Sequence, residues 1–262
     1  MMRALHTATT GLIGQQLNLD VVANNLANVN TTGFKKSRAD FKELLYQTQA
    51  VAGAQTNLGT QEPVSIQVGL GVAPMATQRL FTQGSLANTG NPLDMAIEGE
   101  GFFQVIRENG EVGYTRTGIF QRDSTGTVVT SDGLPLEPAI TIPEDATNIS
   151  ISKVGVVSVL SGGSSIPTQV GQVQLARFAN PVGLNSLGSN LYAPTPASGD
   201  GIVGAPGDGA NGTIAHEFIE GSNVNIAEEL VNMIIGQRAY EINSKAVQAA
   251  DEMLQVAASL RR

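Results

Sequence analysis

Glu98 and Glu100 come nearest to a catalytic arrangement in this chain. Two residues apart on a strand, their carboxylates would face one side about 6–7 Å apart, within the range of a glycosidase acid and its partner. Gly99 and Gly101 alternate with them, which fits a chain corner carrying solvated acids better than a strand. The other reactive types are sparse. His6 and His216 are far apart in sequence and lack metal-ligand spacing. No G-x-S-x-G stretch supports a serine nucleophile. Gly69-Leu70-Gly71 and Gly99-Glu100-Gly101 are fragments of glycine fingerprints without the third glycine or a following helix. Asp123-Ser124-Thr125-Gly126 lacks the remaining carboxylates of a calcium loop. With no cysteine, disulfides, thiolate metal sites and cysteine nucleophiles are excluded. No catalytic, cofactor or metal site is expected.

The elements that would position any site have an unusual surface. In 262 residues, 15 Lys+Arg against 23 Asp+Glu give a net charge of −8, which argues against a general nucleic-acid or anionic-membrane binder. Only 15% of residues are charged, below the roughly 25% of ordinary soluble domains, with Gly, Asn, Gln, Ser and Thr in their place. Such a surface suits packing against copies of itself. No apolar run approaches the ~18 residues of a membrane span. The N-terminal residues lack the basic patch and apolar core of a secretory signal, so none is expected.

The two ends read as helices. Leu5, Leu12, Leu19 and Leu26 recur every seven residues, with Ala8, Val22 and Val29 at most of the companion positions and Gln15 as the exception. This is coiled-coil spacing. Thr31-Thr32-Gly33-Phe34 reads as the stop, Gly33 left-handed and Phe34 packing back on Val29, so a helix is expected over about residues 3–32, roughly 45 Å long. Near the other end, Asn225 and Glu228 resemble a capping box. Beyond it Ile235, Ala239, Ile242, Ala246, Ala249, Met253, Val256 and Leu260 follow a 4-3-4-3 spacing. Met233, Tyr240, Val247 and Leu254 form a second series displaced by two residues, about 200° around the helix. A helix lying on one domain needs a single stripe. An intramolecular pair of the two ends would leave the second stripe wet, whereas neighbouring copies packed into a closed ring or an open filament would cover it. The first helix is poor in salt-bridging residues, Asp20 being the one charged side chain between residues 4 and 34, and Gly11 and Gly14 weaken it by about 1 kcal/mol each.

The middle differs. Phe41 to Tyr46 reads as a short helical patch, and residues 47–62 as an extended segment without period. From about residue 75 short strands follow: Phe102–Ile106 and Val112–Arg116 as a hairpin across Asn109-Gly110, then 118–122, 127–130, 139–142, 149–152, 154–160 and 172–178. Residues 199–212 read as a glycine-rich surface loop. The fold class is therefore α+β, long terminal helices packed in a coiled-coil-like α domain around a mostly antiparallel β middle.

Residues 23–35, Ala-Asn-Asn-Leu-Ala-Asn-Val-Asn-Thr-Thr-Gly-Phe-Lys, resemble the signature of bacterial flagellar rod and hook proteins. Ser222–Asn225 with Glu228–Ile234 and Gln237–Glu241 is similar to the family's C-terminal block, and Asp94–Phe103 with Tyr114–Gly118 to its middle. The length and Leu44-Leu45-Tyr46-Gln47-Thr48 point to the distal-rod branch of the basal-body rod family. The resemblance implies a structural subunit exported through the flagellar export apparatus without a cleaved signal and added under a rod cap. It would form a helical homopolymer spanning the periplasm that carries torque, encloses the export channel, and meets proximal rod proteins, the hook protein and the L and P ring proteins. The expected division is 1–34 as the N-terminal tube-lining helix, 35–80 as a connecting segment with contacts between subunits, 81–221 as the outer β domain, and 222–262 as the C-terminal tube-lining helix. Residues 47–66 would stiffen the tube. The expected subunit interface comprises Leu5, Leu12, Leu19, Val22, Asn24, Asn25, Leu26, Asn28 and Val29, and on the second helix Leu230, Met233, Ile235, Tyr240, Ile242, Ala246, Val247, Ala249, Met253, Leu254 and Val256. The three asparagines would fix register between packed helices. Other readings are a proximal rod or hook subunit, a secreted β-rich binding module and, resting on Glu98 and Glu100, a peptidoglycan-cleaving enzyme.

Overall fold

The computed structural model describes residues 2–50, 52, 64–162 and 166–259. Leu260 and residues 53–63, which figure in the expectations above, lie outside the described residues. The chain divides into two compact units: unit 1 is Met1–Ala27, Ser37–Gln78 and Asn225–Arg262, and unit 2 is Asn28–Lys36 and Arg79–Val224.

Unit 1 contains helices α1 (Met2–Ala27) and α2 (Ile226–Ser259), about 39 and 51 Å long at 1.5 Å per residue. Asn225 caps α2: its Oδ1 accepts the N–H groups of Ala227 at 3.0 Å and Glu228 at 3.5 Å. Glu228 and Glu229 fill the first turn, where carboxylates suit the positive end of the helix dipole. α1 stops at Ala27, short of the expected residue 32. The Thr31 N–H donates to the Asn28 carbonyl, and the Thr31 hydroxyl donates to Asn28 Oδ1. These local bonds divert the backbone into a turn, the usual way Asn and Thr compete with a helix. Gly33 has the expected left-handed φ of +69°, but it lies beyond the helix end in unit 2. A Cβ there would come within 2.7 Å of the Thr117 nitrogen, so glycine serves close approach as well as the turn. Phe34 is buried, with the Arg79 guanidinium 5.7 Å from its ring centroid.

Among the described residues, unit 1 also holds four strands: β1 (Ser37–Glu43), β2 (Tyr46–Ala50), β3 (Ile66–Gly69) and β4 (Val72–Arg79), with β1 paired to β4 and β2 to β3. The expected helical patch at 41–46 is instead the end of β1, a two-residue link and the start of β2. The Leu44 N–H donates to the Gly71 carbonyl and the Leu70 N–H to the Leu45 carbonyl. A single apolar turn cannot nucleate a helix against such nonlocal pairing.

Unit 2 is built on a 7-stranded antiparallel sheet, in the order Asn185–Gly188, Leu191–Ala193, Val112–Thr115, Phe102–Ile106, Leu175–Arg177, Ile202–Gly204, with Leu136–Glu137 also on Phe102–Ile106. The expected hairpin forms with Phe103 opposite Thr115 and Ile106 opposite Val112. Asn109 Oδ1 accepts the Glu111 N–H, and Gly110 takes a φ of +81° in the turn. Two stretches differ from expectation. Residues 199–212 contain the edge strand Ile202–Gly204, its Ile-Val pair favouring extended backbone. Residues 139–142 form no named strand and touch the sheet system through an isolated bridge, Thr127 to Thr141.

Period-two alternation splits the apolar residues of the sheet between two clusters. Phe103 and Leu175 join Met95, Ile97, Phe120 and Ile214 in the larger one. Their chain neighbours Phe102 and Ala176 join Tyr114, Phe178, Leu184 and Tyr192 in the other. Phe102 makes edge-on contacts with Phe81, Phe178 and Tyr192 at centroid distances of 5.4–5.9 Å.

Candidate functional site

The candidate site is a surface, built where α1 and α2 pack. Glycines bring the helices together. A Cβ at Gly236 would lie 3.0 Å from Leu19, and one at Gly11 would lie 3.1 Å from Asn243. Gly14 admits Phe41 of β1 and Val72 of β4, with a Cβ there 3.5 and 3.6 Å away from them. Leu5, Leu12, Leu19 and Leu26 on α1 are half-buried, as are Met233, Val247 and Leu254 on α2.

Two expected interface residues are consumed inside the chain. Val22 and Asn25 are buried. Asn25 Nδ2 donates to the Ser37 carbonyl at 2.8 Å, and its Oδ1 accepts the Ser37 N–H at 2.9 Å. The same Nδ2 reaches the buried Glu229 carboxylate at 3.3 Å. Asn25 thus ties α1 to β1 and α2 within one chain. Asn28, Val29, Gly33 and Phe34 belong to unit 2, and Asn24 is exposed on α1.

The first α2 series, starting at Ile235, has the opposite character. Ile235 is 62% exposed, Ile242 66%, Met253 52% and Val256 59%, and Ala246 and Ala249 are exposed between them. Val231 lies on the same side and Ile234 flanks it, whereas Ile226, Leu230 and Tyr240, also exposed, fall roughly opposite, toward the Met233 series. What α2 buries instead is Glu229, Gly236 and Ala250.

The acidic pair offers a poorer site. Glu98 and Glu100 are both exposed, flanking Gly99 at φ +111°. This is the corner the glycines suggested. His216 Nε2 lies 2.9 Å from the Pro92 carbonyl in unit 2, while His6 is exposed on α1. Among the described residues no cluster of three His, Cys, Asp or Glu could hold a metal ion, and no helix is long and apolar enough to cross a membrane.

Sequence reasoning missed a buried ionic centre in unit 2. Lys35 Nζ donates to Glu220 Oε1 at 2.6 Å and to the Thr82 carbonyl at 2.8 Å. Glu220 Oε1 also accepts the Gly84 N–H, and Oε2 lies 3.4 Å from the Arg116 guanidinium. Asn223 ties the same three chain passages together, accepting the Lys36 N–H and donating to the Leu80 carbonyl. Burial pushes the Lys35 and Arg116 pKa values down, with Glu220 opposing the shift in both. Lys35 and Glu220 are 185 positions apart, so no periodic signal could pair them.

Three family descriptions match the chain: "Flagella basal body rod protein" over residues 5–35, "Flagellar hook protein FlgE/F/G D1 domain" over 96–159 and "Flagellar basal body rod FlgEFG protein C-terminal" over 215–260. The flagellar basal-body rod protein FlgG of Buchnera aphidicola (subsp. Acyrthosiphon pisum) is 49% identical over 97% of this chain and 98% of its own. That of Borreliella burgdorferi is 48% identical over 100% of both, and that of Bacillus subtilis 40% over 100% of both. Helices at both ends, an antiparallel β middle and this likeness along the full length agree: the chain belongs to the flagellar basal-body rod protein family, as a structural subunit of the distal-rod type.

Proposed function

We propose that copies of this chain set their α1–α2 pairs side by side, as coiled-coil-like modules, into the wall of a hollow helical rod. The observation that carries this reading is the exposed α2 face. Ile235, Ile242, Met253 and Val256 are more than half exposed in the single chain, and covering a side chain of this size stabilises by about 1.5–3 kcal/mol. A neighbour's helices cover that face, and the β-rich unit 2 lies outside the wall. Residues 47–66 add contacts between subunits and stiffen it. The rod spans the periplasm as a drive shaft, transmits torque to the hook and leaves an axial channel for export. Its partners are further copies, proximal rod proteins, the hook protein, the ring proteins, the export apparatus and the rod cap. The subunit works through packing, with no catalytic step.

The test is the double substitution Ile235→Lys with Ile242→Lys. Both positions face away from α1, so circular dichroism of the dilute chain is expected to be unchanged. Filaments by electron microscopy and fast-sedimenting species are expected to vanish. Normal filaments from this variant would overturn the assignment. Leu19 is a poorer target because it packs on Gly236 within the chain.

A further inference from the structure

The α1–α2 seam runs out at both ends of the helix pair. On α2 its seven-residue series extends back from Met233, Tyr240, Val247 and Leu254 to Ile226, the first residue of the helix. Met233, Val247 and Leu254 are half-buried, whereas Ile226 is 49% exposed and Leu230, one turn on, is 43% exposed. The α2 face that includes Ile235 and Ile242 lies elsewhere around the helix, so covering it with a neighbour leaves Ile226 and Leu230 wet. At the other end of the pair, where α1 starts, the seam opens into an apolar groove of about 340 Å³. Met2, Leu5, His6 and Thr9 of α1 and Leu254 of α2 line it. One chain therefore presents apolar knobs at one end of its helix pair and an apolar socket at the other. Ile226 and Leu254 are about 42 Å apart along α2 at 1.5 Å per residue, so a chain cannot fill its own socket.

We propose that this groove is the socket for Ile226 and Leu230 of a second copy, in a head-to-tail contact that stacks helix pairs end to end. A copy displaced along the helix axis by about the length of the pair continues the seam, its Ile226 following Leu254 in the same seven-residue series. Identical copies supply knob and socket in equal number, and a contact between two different surfaces repeats without closing on itself. The inference rests on the reading of the chain as a rod subunit and adds an end-to-end contact to the side-by-side one.

The chain has no cysteine, so Met2→Cys combined with Ile226→Cys puts one thiol at each end of the helix pair. The probe is a flexible bismaleimide, which relaxes the close approach that a disulfide demands. Concentrated full-length double variant is expected to give a ladder of linked trimers and longer species on denaturing gels. A mixture of the two single variants should stop at dimers, because each copy then carries one thiol. Leu230→Lys added to the double variant should reduce the ladder roughly tenfold or more, the effect of leaving a large apolar side chain uncovered. Circular dichroism of the dilute chain should not change. No ladder from the double variant, or an equal ladder with Leu230→Lys, would overturn the socket. Electron micrographs of the same samples separate this contact from the helix wall. Filaments without a ladder leave the wall standing and sink the socket, whereas a ladder without filaments upholds the socket and sinks the wall.

Discussion

Unit 2 and α2 of unit 1 bury opposite kinds of residue. In unit 2 Phe103, Ile97, Leu136, Leu175 and Ile214 are sealed from solvent, with the charged Lys35 and Glu220 neutralised against each other. α2 buries Glu229, Gly236 and Ala250, and leaves isoleucines, leucine and methionine in solvent. Unit 2 builds its own apolar core, leaving only scattered side chains such as Leu187, Ile202 and Val203 exposed. α2 does not, because its small residues admit α1 closely while its large ones wait for another surface. Contiguous exposed apolar faces of this kind mark interaction sites in general, which is what motivates the proposed helix-wall interface. If the exposed α2 face joins subunits as proposed, residues of the same chemical type have different measurable consequences in the two regions.

The sharpest way to break this comparison is to truncate one large apolar residue in each region. Phe103→Ala removes a sealed ring that packs edge-on against Phe120 at 5.2 Å and is expected to cost about 3–5 kcal/mol in denaturant unfolding of the dilute chain. Ile242→Ala is expected to change the same quantity by no more than about 0.5 kcal/mol while weakening assembly. Similar losses at both positions would erase the distinction between the regions. Next in size is the ionic centre. Glu220→Gln leaves Lys35 and Arg116 buried without their carboxylate, and breaking such a pair costs about 3–5 kcal/mol. The loss should appear in unfolding of unit 2 and be absent from a Glu241→Gln control, whose partner Arg238 lies on the exposed surface of α2.

Regular spacing made some of this legible in the sequence. Two apolar stripes on α2 were readable from spacing, but not which would be covered: Met233, Val247 and Leu254 are half-buried while Tyr240 of the same series is exposed, as are Ile235, Ile242, Met253 and Val256. The 102–106/112–116 hairpin was readable because alternation and Asn-Gly agree. Two kinds of feature were not. Helix length failed at Asn28 and Thr31, where side-chain bonds to nearby groups compete with the helix and leave the heptad pattern intact. Long-range polar pairing failed entirely: Asn25 to Glu229 and Lys35 to Glu220 join residues 204 and 185 positions apart. Asn25 and Lys35 both lie within a stretch that carries the family resemblance, but a motif does not say whether an amide faces a neighbour or its own chain.

A smaller effect tests that amide. Asn25→Ala removes two bonds to the Ser37 backbone and one to Glu229, leaving buried groups without partners at a cost of about 1–3 kcal/mol. If Asn25 acts within the chain, hydrogen exchange at the Ser37 amide should accelerate in dilute, unassociated protein. If it acts between copies, that amide should be unchanged and only assembly should suffer.

The smallest effect is a change of slope with pH in unit 2. Burial raises the pKa of Tyr192 above its usual 10.0, with Arg79, which donates to its hydroxyl, pulling the other way. The unfolded chain therefore loses this proton first as pH rises. The stability linked to Tyr192 is fully present below about pH 10 and declines as pH climbs toward the raised folded value. Lys35 has the opposite sign: its lowered pKa makes stability rise with pH between the folded value and the unfolded 10.5. Comparing Tyr192→Phe with the parent at each pH separates the two, because Lys35 is common to both. The variant should be modestly less stable at neutral pH, through loss of the Arg79 hydrogen bond, and that deficit should shrink above pH 10. A deficit constant across that range would mean that the Tyr192 hydroxyl is as well solvated as in the unfolded chain, and that unit 2 is less tightly sealed than its contrast with α2 requires.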